Sequence, residues 1–106
     1  MKTWLFFVLS VFLSASVHAA NYATCLLDKA PGLQNDAAAM AAYQVCRNLY
    51  PETFLGVEQG SGRGWLSYKS GAECALKKAA DTSSALAGRL ILMACKKLYS
   101  EPLPGR

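Results

Sequence analysis

Four cysteines are the only side chains whose type and spacing suggest chemistry. Cys25 is followed by Cys46 and Cys74 by Cys95, both as C-x20-C, with the two pairs 49 residues apart. Thiols in such numbers can form disulfides, ligate a metal, attach haem or act as a redox pair. No C-x-x-C is present, which argues against a thioredoxin-like centre and a haem attachment site, and the spacing is too wide for an all-cysteine zinc site. The only histidine, His18, precedes the first cysteine. From Ala20 onward there is no imidazole for a Ser-His or Cys-His pair, or for a His-ligated zinc. The carboxylates Asp28, Asp36, Glu52, Glu58, Glu73, Asp81 and Glu101 are scattered, and no pair of them stands out as an acid and a base. The expectation is a protein that is not an enzyme and has no cofactor and no metal, with its cysteines in structural disulfides.

The spacing extends to a longer pattern. Set against each other at the 49-residue offset, 21–52 and 70–101 match without a gap at ten of 32 positions. The matches include Cys25/Cys74, Leu27/Leu76, Lys29/Lys78, Cys46/Cys95 and Tyr50/Tyr99. A fixed-offset match of this kind points to a duplicated supersecondary unit. Four cysteines allow three pairings, and duplication selects Cys25–Cys46 with Cys74–Cys95, one bond per unit. The midpoints of the two pairs fall near Asn35 and Ser84-Ala85, where each unit has its turn residues. An antiparallel helical hairpin folded there brings its cysteines level.

Local signals agree. Asn21 or Thr24 caps a first helix running to Lys29, and Pro31-Gly32 ends it. Asn35-Asp36 caps a second helix, Ala37 to Tyr50, closed by Pro51. Its apolar stripe is Ala39, Ala42, Tyr43, Cys46, Leu49 and Tyr50. Ser70-Gly-Ala-Glu73 is a capping-box pattern for the third helix. Asp81–Ser84 forms the next turn, with Ser83 or Ser84 as the next cap, and a fourth helix spans 85–99 with the stripe Gly88, Ile91, Leu92, Cys95, Leu98 and Tyr99. Leu90–Ala94 is apolar on every side, so this helix is expected to be the most buried. Lys29 and Lys78 read as helix C-terminal charges that complement the dipole.

The expected fold is all-α: two disulfide-stapled helical hairpins packed as a small four-helix domain. Residues 1–19 read as a signal peptide, with Lys2, the apolar run Trp4–Leu13, and Val17 and Ala19 before a cleavage point at Ala20. A single domain of 20–106 follows, with hairpins at 21–52 and 70–101, a Gly-rich connector at 53–69 and a frayed tail at 102–106. Within the connector Gly60–Gly64 reads as a flexible linker, and Phe54–Val57 and Trp65–Tyr68 are candidate strands of a short β-hairpin around it. An exported chain of this size fits disulfide use.

The strings Cys25-Leu-Leu-Asp-Lys-Ala-Pro-Gly…Cys46-Arg-Asn-Leu-Tyr and Glu73-Cys-Ala-Leu-Lys-Lys-Ala…Cys95-Lys-Lys-Leu-Tyr resemble small exported bacterial proteins with tandem C-x20-C units. The two-cysteine, alanine- and lysine-rich spacing is similar to that of the phosphate-starvation-inducible PsiF repeat. Here the second helices are more apolar, and Gly64–Tyr68 is an insert which that repeat lacks. The resemblance implies an exported helical protein and assigns no activity to any named residue.

Charge is uneven. Residues 20–54 sum to −1 and 55–106 to +4. Lys77, Lys78, Arg89, Lys96 and Lys97 make the second hairpin a candidate basic patch for an anionic membrane or an acidic partner. Nucleic acid needs more charge, and export argues against it. Arg63, Trp65 and Tyr68 are a candidate binding patch, since Arg and aromatic residues dominate interface hot spots. The alternative is that Trp65 and Tyr68 fold back as a lid on the core. The expected role is an exported accessory protein that binds another envelope or secreted protein, as inhibitor, immunity protein or chaperone-like factor. The second expectation is a membrane-active effector using the basic hairpin. The sequence specifies no oligomeric state.

Overall fold

The helices begin where side chains can take the first free amides. In the computed structural model, which describes residues 20–101, α1 is Tyr22–Lys29, α2 Asp36–Leu49, α3 Gly71–Lys78 and α4 Ala85–Tyr99. Each has a polar N-cap: Asn21, Asn35, Ser70 and Ser84 accept from the amides of Thr24, Ala38, Glu73 and Ala87. Asn21 and Thr24 form a reciprocal capping box. At α3 the returning Glu73 carboxylate reaches one residue further back and accepts from Lys69 N at 2.7 Å. Lys29, Lys77 and Lys78 sit in the last turns of α1 and α3, where cations complement the helix dipole. Gly32, at φ +84°, turns the chain out of α1.

Both disulfides pair as the spacing requires. Cys25–Cys46 joins α1 to α2 with Cα atoms 5.7 Å apart, and Cys74–Cys95 joins α3 to α4 at 5.5 Å. Each loop closure contributes about 3 kcal/mol on the chain-entropy account. The signal peptide expected at 1–19 and the frayed tail expected at 102–106 lie outside the described residues.

Helix α4 is the hub. It packs on α1, α2 and α3, whereas α3 packs chiefly on α4. Two small cores flank it. The first gathers Tyr22, Leu26, the Cys25–Cys46 bond and Val57 against Leu90, Ala94 and Leu98. The second gathers Ala30, Ala39 and the Cys74–Cys95 bond around Ala87 and Ile91. The buried stripe of α4 is therefore Ala87, Leu90, Ile91, Ala94, Cys95 and Leu98. Leu92 and Met93 point outward, 38% and 46% exposed, which corrects the expectation that Leu92 is core. Leu49, at the end of α2, is also exposed. A helix apolar on all sides carries no internal record of its buried face, so its partners choose.

The two hairpin turns meet. Ser83 N and Ser84 N both donate to the Leu33 carbonyl at 3.1 Å, and Gly32 N donates to Thr82 Oγ1 at 2.8 Å. Ser83 Oγ donates to Gln34 Oε1 at 3.0 Å, a contact between positions 49 residues apart. Asp36, in the first turn of α2, reaches across: its Oδ1 accepts from Ser84 Oγ at 2.6 Å and from Leu86 N at 3.2 Å. Ser84 is itself buried. The N-terminus of α4 is thus capped by its own serine and by a carboxylate from the other hairpin.

Among the described residues there is no strand, and the β-hairpin expected in the connector does not form. Phe54–Val57 is occupied instead by a 3-10 turn, Thr53–Gly56, whose Phe54 packs edge-on against Tyr22 at 4.7 Å.

Two outcomes follow from this packing. Ile91→Asp leaves no folded protein by circular dichroism, because it places an unpaired charge at a fully buried position, while Leu92→Asp folds and costs no more than about 1 kcal/mol. The hydrogen bonds from Ser84 and then Leu86, with a smaller contribution from Arg89, hold the Asp36 carboxyl below its usual range, even against its own desolvation. A lowered folded-state pKa stabilises above the unfolded value of 3.8 and ceases to do so as pH falls through the folded value. Asp36→Asn therefore lowers the melting temperature at neutral pH, and the difference from wild type closes in strong acid.

Candidate functional site

The last four carbonyls of a helix have no partners within it. For α4 these belong to Lys96, Lys97, Leu98 and Tyr99; Ser100 N reaches back to Lys96 O at 3.2 Å, and neither Ser100 nor Glu101 is the glycine that forms the usual C-terminal cap. The connector supplies the donors. Gln59 Nε2 donates to Lys96 O at 2.9 Å and to Ser100 O at 3.1 Å. Gly60 N donates to Lys97 O at 2.7 Å, Gly62 N to Leu98 O at 2.8 Å, and Arg63 Nη1 to Tyr99 O at 2.8 Å.

The glycines permit this approach. Gly60 has φ +80°. A Cβ on Gly62 would lie 2.8 Å from Tyr99 Cε1 and 3.1 Å from Leu98 Cβ. Gly71, which opens α3, sits so close to α4 that a Cβ would fall 2.8 Å from Lys96 Cα. The Gly60–Gly64 stretch is a strap across the end of α4, and the flexible-linker expectation is corrected. Val57 fixes its start in the first core. At its far end Tyr68 packs edge-on against Tyr99 at 5.2 Å, and burial, followed by Tyr68, raises the Tyr99 pKa.

This strap separates the three residues of the candidate patch. Arg63 is turned inward to the α4 carbonyl and the Glu101 carboxylate, 3.8 Å away. Tyr68 is half-buried on the second core. Trp65 alone is free, 91% exposed, so it is not a lid. Its neighbour Leu66, not singled out in the sequence, is 81% exposed. The two occupy the centre of a turn closed by Ser67 N donating to Gly64 O at 3.2 Å, and braced by Gly64 N donating to Ser67 Oγ at 2.8 Å. Shallow depressions beside this tip are lined by Arg63 and Lys69 on one side, and by Lys69, Glu73 and Lys77 on the other.

The basic patch does not gather at one place. Lys77 belongs beside the tip. Lys78 ends α3, and Arg89 lies near the N-terminus of α4. Lys96 and Lys97 are one helical span away, about 10 Å along the axis. There they flank an open, mainly apolar groove of about 710 Å³ between Phe54 and Met93.

Among the described residues no cluster of His, Cys, Asp and Glu could hold a metal ion, and every described cysteine is bonded. Asp36 and Glu73 each accept a hydrogen bond from a group in the fold, and Glu101 faces the Arg63 guanidinium at 3.8 Å. No described helix is long and apolar enough to cross a membrane. Comparison with protein-family models, curated proteins and solved structures finds no match for the chain.

The strap makes a paired test. Gly62→Ala lowers stability in urea denaturation by about 1–3 kcal/mol, the cost of overpacking against Tyr99 and Leu98. Gly64→Ala, whose Cβ would meet nothing within 4 Å, stays within about 0.5 kcal/mol of wild type.

Proposed function

We propose that this protein is an exported, non-catalytic binding module whose contact surface is the turn carrying Trp65 and Leu66. One observation carries the reading: a tryptophan 91% exposed at the centre of a turn whose flanks are pinned to α4. Folding does not account for it. Central turn positions favour Gly, Pro, Asn, Asp and Ser, and an exposed Trp-Leu pair leaves its apolar surface in water and gains no packing. Tryptophan is also the residue most enriched in binding hot spots, and loops held on rigid scaffolds often carry binding. Export is supported by the two disulfides, which persist in oxidising compartments, and by the leader-like character of 1–19. The helix starts, Tyr22 and Gly71, Asp36 and Ala85, keep the 49-residue offset, which supports a scaffold built by duplication, with the connector as the part that is not repeated.

Arg63 and Trp65 should separate in experiment. Trp65→Ala keeps the melting behaviour to within about 0.5 kcal/mol but loses retention of solubilised envelope components on immobilised protein. Arg63→Ala costs about 1 kcal/mol of stability through the lost bond to Tyr99 O, and affects retention only in proportion to unfolding. Unchanged retention by the Trp65→Ala protein would remove the tip as the contact surface.

A further inference from the structure

The Trp65–Leu66 turn projects from the surface, and its chemistry narrows what it can contact. The two side chains are adjacent and almost fully exposed, 91% and 81%. Together they offer roughly half, at most, of the ~800 Å² per partner that a stable protein interface buries. A lipid interface makes a smaller demand. Indole and leucine enter the headgroup boundary as a shallow wedge, and tryptophan is the residue most at home there.

The surrounding charge suits an anionic surface. Lys69 and Lys77 line the depressions beside the tip and form no salt bridge among the described residues. Their long stems let the ammonium groups reach toward headgroups while the apolar pair inserts. The two nearby carboxylates are engaged: Glu73 accepts from Lys69 N at 2.7 Å, and Glu101 faces Arg63 at 3.8 Å. Behind the tip, 63–101 carries seven Lys and Arg against three Asp and Glu. The strap holds the turn in place, so docking orders little that is not already ordered.

We infer that the Trp65–Leu66 turn is an interfacial anchor that docks this domain on an anionic lipid surface. This rests on the binding-module reading and names its ligand class. The anchor inserts shallowly and the helices stay intact.

The chain from Ala20 onward, which contains both described cores, is mixed with vesicles of phosphatidylcholine alone or of phosphatidylcholine with phosphatidylglycerol. Circular dichroism and a free-thiol assay first establish that it is folded with both disulfides. Trp4 being absent from it, Trp65 is its sole tryptophan and reports directly. The expected result is sedimentation with the anionic vesicles only, with a blue shift of Trp65 emission and weakening by salt. Trp65→Ser abolishes sedimentation. Lys69→Gln with Lys77→Gln weakens it by about 25-fold, near fivefold for each charge at the surface.

Absence of sedimentation with anionic vesicles overturns the inference. So does binding that leaves the Trp65 emission unmoved and survives Trp65→Ser, since the lipid contact then lies elsewhere. If vesicles are not bound but Trp65→Ala still loses a solubilised envelope protein, the tip is a protein contact: the binding-module reading stands and the lipid ligand falls. If neither vesicles nor solubilised components respond to Trp65, both fall.

Discussion

Both ends of α4 lie against other parts of the molecule, which supply hydrogen-bond partners for its free amides and carbonyls. At its start the amides of Leu86 and Ala87 go to Asp36 and Ser84. At its finish the carbonyls of Lys96 to Tyr99 go to Gln59, Gly60, Gly62 and Arg63. Neither end is completed by residues of the second hairpin alone. The first hairpin supplies the carboxylate and the connector supplies the strap, so the parts are joined by what α4 lacks. A substitution at Gly62 or Asp36 therefore acts on the docking of the two hairpins, although each residue is itself exposed or half-exposed.

The small cores explain why the cysteines are needed. Much of the buried surface is alanine: Ala23, Ala30, Ala39, Ala42, Ala87 and Ala94. Alanine lets helices approach closely but contributes little apolar area, and a domain of this size has a thin margin to begin with. A disulfide at the centre of each core, worth about 3 kcal/mol in loop closure, offsets that shortage. The bonds also bring Cys46, Cys74 and Cys95 to full burial, where they pack as apolar groups.

What could be read from the sequence was local or periodic. The caps at Asn35, Ser70 and Ser84, the stop at Pro31-Gly32 and the cysteine pairing all depend on residues a short distance apart, and all appear in the structure. The buried face of α4 did not, because Leu90–Ala94 presents an apolar side chain in every direction and only long-range partners select among them. The strap was harder still. Half of its donors are backbone amides, which leave no side-chain signature, and glycines at 60, 62 and 64 read as flexibility when at 60 and 62 they allow close approach. One indirect signal existed: α4 ends in Ser100-Glu101-Pro102 with no capping glycine, so its carbonyls had to be satisfied from elsewhere. Of the candidate site, Trp65 was legible by type, whereas the inward turn of Arg63 and the exposure of Leu66 required coordinates.

The connector does two physically different things within a few residues. From Gln59 to Arg63 the Gln59 and Arg63 side chains and the Gly60 and Gly62 amides donate to the end of α4, and the segment behaves as part of the scaffold. From Gly64 to Ser67 the direction reverses, and Trp65, the largest side chain of the connector, faces water with Leu66 at central turn positions that rarely hold them. Natural sequences break local rules mainly where something other than stability is being served. The tip is bounded on both sides: a Cβ on Gly62 would meet Tyr99, and Tyr68 returns to Tyr99. A tip held from both sides loses little conformational freedom on contact, so even the modest area of Trp65 and Leu66 can yield measurable affinity. The same rigidity makes the proposed contact separable from the fold, since the tip can be altered without loosening the strap that carries it.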